Sequence, residues 1–364
     1  MKRLKSIDTF RGLSMLWMII AHLMHWWLRL EDYWFYEIVW AIFDVFGACA
    51  FLFISGLSTS LAYRKRKIKA ENLDNYDYQM IRIEYYFRAF CILLLAIVWN
   101  LIFALFIFGN PIFIWTWFVL LTAAVSLLIA WPLLKTSKSL RIILGAIIWI
   151  LNQIILAFLT MYEGQSNIFG ILHYILYNPT DLNPILAFFP FFLFGTVVGE
   201  VIFEVYRIDN EEERMTVLKK KLIFPLVIIG PCLIVSGILF NFPTFLQHRT
   251  FPWMIYVLGV DLTFLAVLIS AEEILRVNTK KNYNLFFYFS YYSLSIYFAH
   301  NLLYFLFLHQ LTPYNIWFCI VPSIIIMGLI LRIMYRKLGQ KASVKRTIGR
   351  LGAGLAEYIY EKKR

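Results

Sequence analysis

Apolar stretches of about twenty residues recur along this chain, at 10–28, 38–62, 86–108, 112–134, 140–160, 184–206, 222–241, 252–270, 285–308 and 315–334, with short polar connections between them. A helix rises ~1.5 Å per residue, so runs of that length match the ~30 Å hydrocarbon core of a bilayer. The pattern predicts an all-α, polytopic membrane protein with about ten transmembrane helices. An even number of crossings returns both termini to one side.

The first run differs from the others. Between Ser6 and Trp27 it is apolar enough to cross, yet it carries Asp8, Arg11, His22 and His25. Ionisable groups inside a span are expensive, which marks them for function. Eleven residues separate Arg11 from His22. At ~100° per residue that is three turns plus roughly 20°, so both side chains leave one face of the helix about 16 Å apart. Asp8, Met15, Met18 and His25 fall on the same stripe. The helix is expected to hold a guanidinium at the inner water boundary and an imidazole deep in the bilayer, both aimed into one space. Asp8 is expected to pair with Arg11 and orient it.

Composition sharpens this picture. With 364 residues, 61% of them hydrophobic and 19% aromatic, and a mean hydropathy of +0.70, the chain lies outside the range of soluble domains. Its formal charge of +12 is a matter of location: with a cytoplasmic N-terminus, 32 of the 34 Lys and Arg lie inside and only Arg29 and Arg249 lie outside. That bias is what cytoplasmic loops acquire, and it sets both termini in the cytoplasm of a multi-pass plasma-membrane protein. The positive face suits anionic headgroups or an anionic cytosolic ligand, and gives no reason to invoke nucleic acid. Residues 1–337 form the transmembrane domain, and 338–364 read as a basic amphipathic tail on the inner surface. Cys49, Cys91, Cys232 and Cys319 fall one to a span without metal-ligand spacing, so they read as packing residues and no metal is expected.

Other polar points stand out against the apolar runs. Asp44 lies near the outer end of the second span, and Ser55, Gly56, Ser58 and Ser60 further along it are small enough to let helices approach closely. Arg82 and Arg88 flank Glu84, Tyr85 and Tyr86 at the start of the third span. Asn100, Asn152 and Gln153 suit bonds between helices. The piece around 165–178 is broken by Gly and Pro and suits a re-entrant or interfacial segment, followed by Asp181. Asp261 lies near mid-membrane in the eighth span, where an unpaired carboxylate is costly, so His22 or His300 is expected beside it. In the ninth span His300 shares a face with Ser293, Tyr297 and Tyr304.

Several of these segments carry a family resemblance. Ser6-Ile-Asp-Thr-Phe-Arg-Gly12, Phe51-Leu-Phe-Ile-Ser-Gly-Leu57, the stretch from Asp181 to Gly199 and Ser293-Leu-Ser-Ile-Tyr-Phe-Ala-His300 resemble motifs of the transmembrane acyltransferases, in particular the branch related to heparan-α-glucosaminide N-acetyltransferase. The spacing from Arg11 to His22 is also similar to that of acyltransferase family 3. The resemblance implies transfer of an acyl group, acetyl by family habit, from cytosolic acyl-CoA to a hydroxyl or amine of an extracytoplasmic acceptor, a glycan or glycolipid. Carried over, it makes Arg11 the motif arginine, His22 the catalytic histidine and His300 the late motif histidine. The chain departs at His22, where the lysosomal branch carries asparagine and uses a histidine of the following outer loop.

The residues suit such chemistry in their own right. Acyl transfer from a thioester needs a base for the acceptor's proton, which a neutral imidazole provides. His22, His300 and Asp261 are therefore the expected catalytic set. Arg11, Arg82, Arg88, Ser293 and Tyr297 are expected to bind acyl-CoA, with Arg82, Arg88 and the basic cluster at 64–69 holding its phosphates, and Asp44, Asp181 and His25 the acceptor. Membrane lipids, acyl-CoA and a sugar or lipid-linked acceptor are the expected partners, with a homodimer left open. The alternative is a non-enzymatic transporter or channel for a small solute, since ionisable residues in spans also mark solute paths.

Overall fold

The computed structural model describes residues 3–72, 76–107, 109–178, 182–276 and 284–362. Fifteen α-helices make up the described chain: α1 Lys5–Trp27, α2 Tyr33–Phe43, α3 Ala48–Asn72, α4 Tyr78–Ile102, α5 Val119–Leu133, α6 Lys138–Leu159, α7 Ile168–Tyr177, α8 Ile185–Val205, α9 Glu211–Leu218, α10 Phe224–Phe240, α11 Phe251–Glu273, α12 Asn284–Tyr291, α13 Ser293–Ala299, α14 Ile316–Lys337 and α15 Val344–Glu361. No strand occurs among the described residues. Local caps explain several of the starts: Asp77, Ser137 and Asn167 each accept a backbone N–H three residues on, opening α4, α6 and α7.

Seven helical segments are long and apolar enough to cross a membrane, at Leu30–Asn72, Tyr78–Ile107, Lys138–Tyr162, Ile185–Val205, Glu211–Phe240, Phe251–Glu273 and Ile316–Lys337. Each covers one of the runs read from sequence. The other three expected crossings fall on different structures. α1 spans 23 residues but is studded with polar groups. The run at 112–134 yields only the 15-residue α5, because the chain before it turns aside: the Trp117 N–H bonds to the Asn178 carbonyl, and the Trp117 carbonyl accepts from Asn183. The run at 285–308 is broken into α12, α13 and a 3-10 turn over His300–Phe305.

Contacts divide the chain into two compact units, one of Met1–Phe51, Leu222–His248 and Ile255–Ile348, the other of Leu52–Lys221, Arg249–Met254 and Gly349–Arg364. In the first, α1 is the axis, packed against α12, with α2, α13 and α14 around it. Its free N-terminal amides at Lys5 and Ser6 both donate to the Glu272 carboxylate at the end of α11, at 2.9 and 2.7 Å. That satisfies two orphan donors with a negative charge at the positive end of the helix dipole. Asp8 is held by Arg3 and by the Ser290 hydroxyl of α12.

Gly12 lets α1 and α12 meet backbone to backbone, since a Cβ there would run into the Phe286 carbonyl. Gly12→Leu is therefore expected to cost about 1–3 kcal/mol or more. A lowered melting temperature of the detergent-solubilised protein checks this.

In the second unit, the part of α3 beyond Phe51 crosses α8 at small residues, as its sequence led one to expect: a Cβ on Gly56 would meet the Phe192 carbonyl, and one on Gly195 the Phe53 carbonyl. α6 packs on α8, where the Trp149 indole donates to the Ala187 carbonyl at 2.8 Å. α4 packs on α5, where the Tyr85 hydroxyl donates to Leu127 at 2.7 Å. The polar points read from sequence do bond across this unit: Asn100 donates to the Thr116 carbonyl, Asn152 accepts from Tyr177, and Gln153 donates to the Arg249 carbonyl.

Candidate active site

α1 delivers His22 and α13 ends on His300, and the two imidazoles meet: His22 Nδ1 lies 2.7 Å from His300 Nε2. The break in the predicted ninth span makes this possible. Tighter winding from His300 onward is pinned to the end of α1, where the Trp27 indole donates to the Leu303 carbonyl at 3.0 Å. The backbone N–H groups of Gln310 and Leu311 also reach the Trp27 carbonyl, and Leu28 pairs with Leu311 in a short parallel bridge. The polar stripe expected on one helix is thereby turned to put His300 against α1.

The neighbouring carbonyl favours one arrangement of the protons on the two rings. His300 Nδ1 lies 3.1 Å from the Ile296 carbonyl, which can only accept, so Nδ1–H donates. Asn301 Nδ2 gives one of its two hydrogens to the Tyr297 carbonyl at 2.9 Å and lies farther from this nitrogen, at 3.3 Å, than the Ile296 carbonyl does. With its proton on Nδ1, a neutral His300 offers a lone pair on Nε2 and accepts Nδ1–H from His22. The lone pair of His22 is then on Nε2, which makes no hydrogen bond among the described residues. Trp26 stacks on His300 at 5.7 Å and 16° and lies 5.2 Å from the His22 ring, with Tyr304 against its edge. His300 is buried at 1% exposure and His22 is half-buried.

Other candidate residues of this unit lie nearby or apart. Arg11 is buried, at 8% exposure, so it does not face lipid. Ser293 and Tyr297 are buried, the Tyr297 ring 6.0 Å from that of His300. His25 is exposed near the C-terminal end of α1 between the rings of Tyr33 and Tyr36, and the Tyr33 hydroxyl donates to its carbonyl. Asp44 sits beside His248, 3.6 Å from Nδ1, and that imidazole lies flat on Trp40 at 3.7 Å and 5°. Asp181 lies outside the described residues.

The expected partnership of Asp261 with a histidine is overturned. His22 and His300 satisfy each other, whereas both carboxyl oxygens of Asp261 are fully buried without a hydrogen-bond partner among the described residues. A buried polar group left unpaired costs about 1–3 kcal/mol. Asp261→Leu, which removes the polar group at similar shape, is therefore expected to melt at or above the wild-type temperature while losing activity, the separation that marks a group retained for function. A lower melting temperature with activity intact contradicts that.

In the second unit several basic residues are drawn into ion pairs. Arg66 meets Glu84 at 3.0 Å, and Tyr76 donates to the same carboxylate. Burial, and then the neighbouring Glu84, raises the Tyr76 hydroxyl above the ordinary tyrosine range. Arg82 is exposed, with its guanidinium 5.9 Å from the Tyr86 ring. Arg88 is half-buried. Arg64 pairs with Glu200 at 2.6 Å, Arg141 is in close contact with the same carboxylate, and Lys138 pairs with Glu204 at 2.7 Å.

Trp26, Ile296, Asn301, Trp40 and His248 were not singled out from sequence. The only cue to Trp26 was its place four residues after His22 on the polar helix, and to Asn301 its adjacency to His300. His248 lies in a connection without periodicity, about two hundred residues from Asp44.

Compared with known protein families, residues 3–235 match the catalytic domain of heparan-alpha-glucosaminide N-acetyltransferase. No curated protein matches the chain.

Proposed function

The chain belongs to the heparan-alpha-glucosaminide N-acetyltransferase catalytic family, and from that premise we propose that it is an integral-membrane acyltransferase moving an acetyl group from cytosolic acetyl-CoA to a hydroxyl or amine of an extracytoplasmic glycan or glycolipid. His22 is the general base. Its Nε2 takes the proton of the acceptor O–H or N–H while that oxygen or nitrogen attacks the thioester carbon. A C–O or C–N bond forms, the C–S bond breaks, and the coenzyme leaves as a thiol with the proton that His22 returns.

The observation that supports this reading is the 2.7 Å contact between His22 Nδ1 and His300 Nε2, with the Ile296 carbonyl behind it. His300 is a positioning residue. By accepting Nδ1–H it holds the tautomer that leaves Nε2 of His22 bare, and it stabilises the imidazolium that forms when His22 takes the proton. The face of Trp26 adds a cation–π contact at that moment. Arg11, on the same helix, meets the donor. Ser293 and Tyr297 line the donor's side of the imidazole pair, and His25 and Asp44 with their aromatic neighbours receive the acceptor.

Purified protein in lipid nanodiscs, given radiolabelled acetyl-CoA and a panel of amino sugars and sugar alcohols, tests the reading. Acceptor-dependent labelling with release of free thiol is expected. A protein that neither binds nor consumes acetyl-CoA, and instead conducts or transports a solute, ends it.

A further inference from the structure

The end of the second unit where α3 and α8 finish and α6 begins holds a cavity of about 370 Å³ lined by Arg64, Glu200, Phe203, Glu204 and Arg207. At ~30 Å³ for each water in the liquid, that is room for about twelve. Two carboxylates on its wall would ordinarily repel an anion, but both are already engaged. Glu200 is held by Arg64 and by Arg141, and Arg141 is fully buried and also donates to the Thr196 hydroxyl at 2.9 Å. Both oxygens of Glu204 receive Lys138, at 2.7 and 2.8 Å.

The balance left over is positive. The four cations Arg64, Lys138, Arg141 and Arg207 share two carboxylates, Glu200 and Glu204, and Arg207 has no partner among the described residues. The Nε–H of Arg64 and that of Arg141 are buried donors with no acceptor among the described residues. A buried N–H lacking an acceptor is costly. The two guanidinium groups on the wall, Arg64 locked by a carboxylate and Arg207 open, match the oxygens of a phosphate, which arginine binds in bidentate fashion. Phe203 supplies an apolar wall for whatever the phosphate is esterified to.

We propose that this cavity binds a phosphate ester, with Arg207 as its open contact and Arg64 as its fixed one. Two sources offer that chemistry at a membrane surface: the phosphates of a soluble nucleotide-bearing thioester, which rests on the function proposed above, and the headgroup of an anionic phospholipid. Of the groups expected from sequence to hold the donor's phosphates, the 64–69 cluster contributes Arg64, whereas Arg82 and Arg88 are not on its wall.

The test uses the full chain in an uncharged, phosphate-free detergent and in nanodiscs. Adenosine 3′,5′-bisphosphate is titrated in the first, and melting in phosphatidylglycerol discs is compared with phosphatidylcholine discs in the second. Arg207→Gln is the informative variant, because Arg207 is exposed and its loss breaks no ion pair, whereas Arg64→Gln leaves Glu200 short of a partner. A tenfold or greater weakening of bisphosphate binding in Arg207→Gln assigns the site to the soluble ester. Stabilisation by phosphatidylglycerol that disappears in Arg207→Gln, without bisphosphate binding, assigns it to lipid. If neither probe separates wild type from Arg207→Gln, the proposal is wrong. Acetyl transfer that proceeds regardless leaves the enzymatic reading standing, and binding without transfer removes that reading alone.

Discussion

His22→Ala is expected to lower turnover about a hundred- to ten-thousandfold, the range that a positioned general base supplies, while the protein inserts and melts as before. His22 is half-buried and its one hydrogen bond is to His300, so little of the fold hangs on it. His22→Asn separates the two roles of the ring. An amide N–H can still donate to His300 Nε2, preserving the contact, but it has no basic nitrogen. The asparagine variant is accordingly expected to be as inactive as the alanine variant, measured as label transferred from acetyl-CoA at matched protein content. Turnover at the wild-type rate in His22→Asn would move the base to another imidazole.

The second large effect belongs to His300, and it distinguishes positioning from mere packing. His300→Ala removes the acceptor for His22 Nδ1–H and frees the base to turn or to carry its proton on the wrong nitrogen, with an expected loss of about a hundredfold. His300→Gln offers a carbonyl oxygen to the same N–H, so it is expected to keep activity within about tenfold of wild type. A residue that only filled space at its 1% exposure would show no such rescue by an acceptor. Equal losses in both variants would assign His300 to packing.

Part of each unit was legible in the chain. The stripe that joins Arg11 and His22 follows from helical geometry alone, and in the second unit the small residues of α3 announced a close crossing that the structure places against α8. Some of it was not. Asp8 is bonded to Arg3 and to Ser290, contacts that helix periodicity could not anticipate. The meeting of His22 with His300 depends on a helix that breaks after Ala299, and the break is fixed by backbone bonds to the end of α1 some 280 residues away. Asp261 was read from a cost argument that required a partner, but no local signal tells a buried carboxyl that its two candidate imidazoles prefer each other. The stack of His248 on Trp40 beside Asp44 is likewise a tertiary contact between a loop and a helix, invisible to any period.

The protons on the two imidazoles can be read directly by nitrogen NMR of the ¹⁵N-histidine-labelled protein in bilayers, with His22→Asn and His300→Gln used to assign the signals. A bare Nε2 and protonated Nδ1 on His22, coupled across the hydrogen bond to a bare Nε2 on a His300 that is protonated at Nδ1, is the predicted result. A proton on Nε2 of His22 with Nδ1 bare would contradict the account, because the nitrogen meant to receive the acceptor's proton would already hold one.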